Sequence, residues 1–289
     1  MSTKLYGGIE AGGTKFVCAI GSGNGELIAR TEIGTEQPEQ TIQQVVSFFQ
    51  TQPVVERIGI GSFGPVDVNS RSKTYGTILN TPKPGWSGVN LVHQISRRLE
   101  KPVFLQTDTD VAAIGERYHG RALHTNSFVY LTIGTGIGGS IFVNGELLHG
   151  LSHPEMGHMQ LPQLHAGATI QNTCHLHESC FEGFASGKSL EIIYGQKAEA
   201  ITDTHVWDAE AMFIALGLAN ILMVLPVELV IIGGSVMKHN GLLDLVKRKL
   251  TDAINGYIAL PNMDNYVVGA SSDTIGVLGS VKLAALNQY

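Results

Sequence analysis

The chain has 289 residues, of which 43% are hydrophobic and 15% are charged, and its formal net charge is −6. This composition suffices for buried cores, argues against disorder, and gives no support for binding to nucleic acid or to an anionic membrane. Three cysteines cannot form a disulfide framework and the first residues show no secretory signal, so we expect a cytoplasmic protein.

The first third of the chain predicts short strands alternating with helices. Strands are predicted at 5–9, 16–20, 27–33, 58–60 and 103–105. The first three are separated by glycine-rich turns, which is typical of a β-meander. Ile42, Val45, Val46 and Phe49 have the spacing of a helix face, and a second helix is predicted at 91–99.

The second half begins like the first. Glycine pairs at 12–13 and 138–139 each lead into an apolar strand that ends in an Asn-Gly-Glu-Leu turn. This repetition predicts a duplicated domain, although two glycine-rich hairpins can also resemble each other by chance. We place the boundary near residue 112, because residues 111–116 predict a helix that could cross between the halves.

An apolar stretch at 211–225 is the one candidate for a membrane span. It contains Asn220, ends before Pro226, and is shorter than the ~20 residues that a bilayer requires. A buried helix followed by a buried strand at 228–232 is the better interpretation.

Two glycine-rich turns, residues 10–15 and 132–139, are candidate phosphate loops. Because glycine has no Cβ, backbone N–H groups in such turns can approach phosphate oxygens. Further donors come from Thr14, Lys15, Thr132 and Thr135. Either turn could be an ordinary hairpin, but matching positions in a duplicated unit favour a nucleotide-binding cleft between two domains.

Two other glycine patterns match nucleotide-binding motifs only formally. Residues 134–139 fit G-x-G-x-x-G but lead into apolar, β-branched residues that predict a strand and not a helix. Residues 183–189 resemble a Walker A loop, but have three residues between the glycines instead of four and follow no apolar strand. We therefore reject both a Rossmann and a P-loop interpretation.

A cluster of cysteine and histidine at 174–180 has the spacing of a metal site. Cys174 and Cys180 flank His175 and His177, and His153, His158 and His165 lie upstream as candidates for a fourth ligand. Thiolate and imidazole ligands favour zinc, held by four ligands in a structural site or by three plus water in a catalytic one. A surface loop with incidental polar residues is the alternative, and chemistry alone does not decide between His175 and His177.

Four carboxylates are candidates for chemistry or sugar binding. Asp108 and Asp110 follow the predicted strand at 103–105, and the carboxyl ends of strands are where α/β sheets bind ligands. Asp108 could instead be a simple helix N-cap. Glu155 and Glu182 flank the candidate zinc loop and could bind sugar hydroxyls or be solvated surface acids.

These motifs resemble the ROK family of sugar kinases and, within it, the zinc-containing bacterial fructokinases. The matching segments are Gly8–Phe16, Gly64-Pro65, Gly76–Trp86, Leu131–Gly139, His153–His158, Cys174–Gly187 and Ile231–Ser235. The resemblance implies an α/β, actin/hexokinase-like fold of two ribonuclease H-like domains with an interdomain cleft. The domains would cover residues 1–112, plus a returning C-terminal helix at about 275–289, and residues 113–274 with the zinc loop.

The resemblance also implies roles for single residues. It makes Asp108 the catalytic base for phosphorylation of a free hexose by ATP. Sugar binding falls to Gly64, Pro65, Asn80, Thr107, Glu155, His158 and Glu182. ATP binding falls to Gly12, Gly13, Thr14, Lys15, Thr132, Gly134, Thr135, Gly136, Gly187, Gly233 and Gly234. Structural Zn²⁺ falls to His158, Cys174, His177 and Cys180.

The implied partners are a hexose, most simply fructose, together with ATP and Mg²⁺, in a homodimer that binds neither nucleic acid nor membrane. Mannose, glucose and N-acetylmannosamine are alternative acceptors, and a sugar-sensing regulator or a zinc hydrolase is an alternative of another class. The chain departs from the family at Asp110, where the family usually has Asn. We expect this second carboxylate to raise the pKa of Asp108 by like-charge repulsion.

Overall fold

The computed structural model describes residues 4–163 and 170–286. Its strands are β1 (Leu5–Ala11), β2 (Lys15–Ser22), β3 (Leu27–Gly34), β4 (Ile58–Ser62), β5 (Val103–Thr107), β6 (Phe128–Ile133), β7 (Ile137–Val143), β8 (Glu146–Leu147), β9 (Leu229–Gly233) and β10 (Val267–Gly269). Its helices are α1 (Pro38–Gln50), α2 (Leu91–Leu99), α3 (Asp108–His119), α4 (Phe181–Ala185), α5 (Gly187–Tyr194), α6 (Thr204–Val224), α7 (Leu242–Ile254), α8 (Met263–Tyr266) and α9 (Ile275–Leu286).

Contacts within the chain define two compact units. Unit 1 contains residues 4–124, 149–153 and 271–286, and unit 2 contains residues 125–148, 154–163 and 170–270. All of α3 therefore belongs to unit 1, whereas the predicted boundary near residue 112 falls inside that helix. The division of the chain into domains at 112 and 274 stays a prediction. The last residues of the predicted C-terminal helix, 287–289, lie outside the described residues.

The two units contain sheets of the same topology. In unit 1 the strand order is β3-β2-β1-β4-β5, with β1, β2 and β3 antiparallel and β4 and β5 parallel to β1. In unit 2 the order is β10-β9-β6-β7-β8, and β6, β7 and β8 form the antiparallel part while β9 and β10 run parallel to β6. The duplication predicted from the paired glycine turns is confirmed.

Glycines in unit 1 allow two helices to pack closely on the sheet and on each other. A Cβ at Gly59 of β4 would collide with the carbonyl of Ser280 in α9, and a Cβ at Gly61 would collide with the side chain of Val111 in α3. A Cβ at Gly279 would in turn meet the Val111 carbonyl. This packing fixes α3, whose first residue is Asp108, against the sheet.

Unit 2 is built around a core into which α6 is largely buried. The predicted apolar stretch forms the C-terminal two thirds of this 21-residue helix, which is followed by the buried strand β9. By length and composition α6 could cross a membrane, but 67% of its most apolar window is buried inside the protein. Such burial is typical of a core helix, as the sequence predicted.

Candidate active site and metal centre

Asp108 is the first residue of α3, directly after β5. Thr107, and not Asp108, is the N-cap, because its Oγ1 accepts a hydrogen bond from the Asp110 amide at 3.0 Å. The interpretation of Asp108 as a simple N-cap is therefore wrong. Asp108 Oδ1 accepts from the Thr109 amide at 2.9 Å, and its side chain is only partly buried by its neighbours, which leaves it accessible to a substrate.

The electrostatic environment of Asp108 suits a general base. Burial and, to a smaller extent, the charge of Asp110 raise its pKa to about 6, against the opposing effects of the Thr109 amide and of His153. The expected repulsion by Asp110 is thus present, but burial is the larger cause. A base whose pKa lies just below neutral pH is deprotonated at pH 7 and still accepts a proton readily.

Glu10, the penultimate residue of β1, is a second acidic residue beside Asp108, and its position in the sequence does not indicate a catalytic role. Burial, followed by repulsion from Asp108, raises its pKa to about 7. Lys15, Arg30 and the Val277 amide at the start of α9 oppose that rise. Glu10 lies inside the first candidate phosphate loop, yet only the folded chain places its carboxyl group next to that of Asp108.

The first candidate phosphate loop is a tight turn between β1 and β2. The Gly12 amide donates to the Lys15 carbonyl at 2.9 Å, and a Cβ at Gly13 would meet nothing within 4 Å, so this backbone faces open space. Thr14 lies in the same turn. The Lys15 ammonium forms an exposed ion pair with Glu32 at 2.8 Å, a type of pair that is weak enough to be exchanged for a ligand.

Four further residues with a predicted sugar-binding role lie in unit 1. Gly64 and Pro65 lie shortly after β4, are joined by a cis peptide bond and are exposed, and Asn80 is exposed in the connection to α2. The Thr107 hydroxyl is buried and used as the N-cap of α3. Their roles in binding stay predictions.

The residues with a predicted ATP-binding role in unit 2 converge at the carboxyl ends of β6 and β9. The Gly187 amide donates to the Gly134 carbonyl at 2.7 Å, although these residues are far apart in sequence. Gly234 has φ of +99° and lies so close to the Ile133 carbonyl that a Cβ would collide with it. The other members of this group are Thr132, Thr135, Gly136 and Gly233. The turn at 134–136 leads into the strand β7 and not into a helix, which agrees with the rejection of the Rossmann interpretation.

Glu182 links α4 to this glycine-rich turn. Its Oε2 accepts a hydrogen bond from the Ile137 amide at 2.8 Å, and a Cβ at Gly136 would lie only 2.6 Å from the same oxygen. One carboxylate oxygen of Glu182 is therefore already used by the backbone. Glu155 precedes a 3₁₀ turn at Met156–His158, and its carbonyl accepts from the His158 amide at 3.0 Å.

His158, Cys174, His177 and Cys180 form a compact group of metal-binding side chains in unit 2. Their ligand atoms all lie within 4.8 Å of one another, and Cys174 Sγ is 3.5 Å from His177 Nδ1. A tetrahedral zinc ion with bonds of about 2.3 Å to sulfur and about 2.0 Å to nitrogen would hold two such donors about 3.5 Å apart.

The donor set fits a structural zinc site. Nδ1 of His158 is buried and has no hydrogen-bond partner among the described residues, which is expected of a group reserved for a ligand. Four protein donors fill a tetrahedron and leave no position for water, so the arrangement does not favour a catalytic zinc. His175 is exposed and lies outside the group. His165 lies outside the described residues.

Comparison with known proteins agrees with this architecture. The sequence model of the ROK family matches residues 6–286. A fructokinase of Streptococcus mutans is 37% identical over 290 residues, which cover 98% of each chain. A fructokinase of Lactococcus lactis subsp. cremoris is 39% identical over 264 residues, which cover 91% of this chain and 90% of the relative.

Among solved structures, the ROK hexokinase of Thermus thermophilus superposes with a TM-score of 0.82 at 23% identity, and the match covers 98% of each chain. At that identity the likeness concerns the fold alone. It confirms the predicted actin/hexokinase-like fold class.

Proposed function

The chain belongs to the ROK family, and from this premise we propose that it is a kinase that transfers the γ-phosphate of ATP to the 6-hydroxyl of free fructose. The observation that carries the proposal is Asp108, an accessible carboxylate at the carboxyl end of β5 with a pKa of about 6. The fructokinases at 37% and 39% identity support fructose as the acceptor.

In this mechanism Asp108 accepts the proton of the 6-hydroxyl as the sugar oxygen bonds to the γ-phosphorus. The bond from that phosphorus to the bridging oxygen breaks, and ADP leaves with the electron pair. Backbone N–H groups of the two glycine turns donate to the phosphoryl oxygens, on which negative charge is concentrated. Mg²⁺ enters with ATP as part of the substrate complex.

Glu155, His158 and Glu182 bind hydroxyl groups of the sugar in this proposal. The four-residue donor group is their support, because His158 belongs to it and Glu182 follows Cys180 by two residues. Zn²⁺, when bound there, supplies a structural crosslink and takes no part in proton or phosphoryl transfer. We place the enzyme in the cytoplasm as a homodimer, in line with the family resemblance.

Replacing Asp108 with Asn tests the role of the base. The variant keeps the shape of the side chain, so we expect the KM for fructose to stay near its original value while kcat falls by at least about 10²-fold. In the unsubstituted enzyme, kcat/KM should fall as the pH drops below about 6, because protonated Asp108 cannot accept a proton. Near-normal turnover of D108N would remove Asp108 from this role.

A screen of free hexoses tests the acceptor. Coupled release of ADP is measured with fructose, glucose, mannose and N-acetylmannosamine, and zinc content is determined on the same preparation. We expect the highest kcat/KM with fructose and about one zinc per chain, the number that one four-ligand site binds. A clear preference for another hexose would overturn fructose as the acceptor and leave the kinase assignment intact.

A further inference from the structure

Asp110 is a buried carboxylate for which the proposed mechanism has no use. It is 1% exposed and lies on α3 two residues after Asp108. The Asp110 amide donates a hydrogen bond to Oγ1 of the N-cap residue Thr107 at 3.0 Å, so the first turn of α3 holds both aspartates in place. A carboxylate buried beside another carboxylate is costly unless a donor or a positive charge offsets it.

His149 supplies such an offset. Its Nε2 lies 3.1 Å from Oδ2 of Asp110, and its side chain is 25% exposed. It also lines a cavity of about 320 Å³ together with Arg71 and Gln106, whose Oε1 is buried without a partner among the described residues. An imidazole in this position donates a hydrogen bond to the carboxylate and carries a positive charge when both nitrogens are protonated.

Several elements of unit 1 contribute charges near the two aspartates. Among the titratable groups there are Glu10 of β1 and His149 and His153 of the segment 149–153. β4 and β5, which pack against α3, contain no titratable side chain. In α9 the titratable residue is Lys282, whose ammonium donates to the Gly23 carbonyl at 3.1 Å and not to either aspartate.

We propose that His149 is a positioning residue for phosphoryl transfer, which pairs with Asp110 through Nε2 and offsets the negative charge that Asp110 places beside Asp108. This inference rests on the proposed function, because it requires Asp108 to be the base. If the offset is lost, Asp108 retains its proton to higher pH, since two neighbouring carboxylates repel each other when both are ionised. The fraction of enzyme with a competent base at a given pH then falls.

The test is the pH dependence of kcat/KM for the sugar in the unsubstituted enzyme, H149Q, D110N and the double variant. Gln at 149 can still donate a hydrogen bond but carries no charge. H149Q should therefore move the acid limb, which is the fall of kcat/KM at low pH, to higher pH by about half a pH unit or more. D110N removes the repelling charge and should move the limb down. In the D110N background H149Q should cause no further shift, because the charge that His149 offsets is then absent.

Three outcomes would overturn the inference. One is an unchanged acid limb in H149Q, and another is an equal shift by H149Q with and without Asp110. The third is an acid limb in D110N that does not move down, and this measurement stands by itself if H149Q does not fold. A merely structural role of His149 would change thermal stability or kcat and leave the limb in place.

The D108N variant separates this inference from the proposed function. If D108N loses turnover and H149Q keeps the original pH profile, then the role of His149 fails and the base stands. If D108N retains turnover, both assignments fail.

Discussion

Glu210 is buried in the N-terminal third of α6 with 2% of its surface exposed, and its Oε1 has no hydrogen-bond partner in the described part of the chain. Burial raises the pKa of this carboxyl well above its usual value of 4.5. Because the folded pKa exceeds the unfolded one, protonation stabilises the fold. That contribution is complete below pH 4.5 and is lost as the pH rises through the folded pKa.

Glu210→Gln should therefore stabilise the protein at alkaline pH. Gln has the same shape and no charge to bury, so we expect a gain of about 1–3 kcal/mol in the free energy of unfolding at pH 8 and a smaller gain at pH 5. Urea unfolding at the two pH values measures this difference. Glu199→Gln, at an exposed position, is the matched control and should change little at either pH. Equal gains at both pH values would contradict the argument.

Single residues differ in how well the sequence reveals them. Asp108 could be proposed as a base because it follows a predicted strand, and the carboxyl ends of strands are where α/β sheets bind ligands. The loop at 174–180 could be predicted as a metal site from its cysteine and histidine spacing, but the choice of His177 over His175 and of His158 upstream came from the family resemblance. Glu10 and His149 could not, since their proximity to Asp108 and Asp110 depends on sheet pairing and on a segment that is 39 residues distant from Asp110.

At the scale of elements, α4 connects the metal-binding loop to the glycine turn after β6. Cys180 Sγ caps α4 by accepting from the Gly183 amide at 3.4 Å, and Glu182 of the same helix holds the Ile137 amide at 2.8 Å. A hydrogen bond to a carboxylate is worth about 1.5–3 kcal/mol. The position of the turn in which we place ATP binding therefore depends on α4.

Glu182→Ala should raise the KM for ATP by about tenfold, because the lost hydrogen bond frees the turn. Glu182→Gln retains an oxygen that can accept from Ile137 and should largely spare the KM for ATP. Initial rates with ATP and fructose varied independently give both constants. Glu178 is an exposed acidic residue in the metal-binding loop before α4. Glu178→Ala is therefore the control and should leave the KM for ATP unchanged. An unchanged KM for ATP in E182A would show that α4 does not position the turn.

The strands and helices of unit 1 were predictable because apolar periodicity marks them. The observed strands run one or two residues beyond most of the apolar runs, since backbone pairing continues past the last apolar side chain. The close packing of α3 on α9 was not predictable. It depends on Gly115 of α3 and Gly279 of α9, which lie far apart in the sequence, and periodicity within one element carries no information on its partner.

At the scale of the whole chain, each unit has its own hydrophobic core, and the metal-binding residues belong to unit 2 alone. A structural metal stabilises the part of the protein that its ligands join, because the unfolded chain does not offer a preformed site. The chain has two tryptophans, which report on different cores: Trp86 is buried in unit 1 and Trp207 in unit 2.

Removal of the metal by a chelator should therefore lower the urea midpoint of unit 2 more than that of unit 1. W86F leaves Trp207 as the reporter of unit 2, and W207F leaves Trp86 as the reporter of unit 1. Each variant is its own control, since its fluorescence transition is compared with and without chelator and any cost of the substitution cancels. We expect the Trp207 transition to move to lower urea and the Trp86 transition to move less, so that unfolding is no longer a single two-state process. Equal shifts of both transitions would mean that the two cores unfold as one cooperative unit, and no shift of either would mean that the four-residue group contributes no metal-dependent stability.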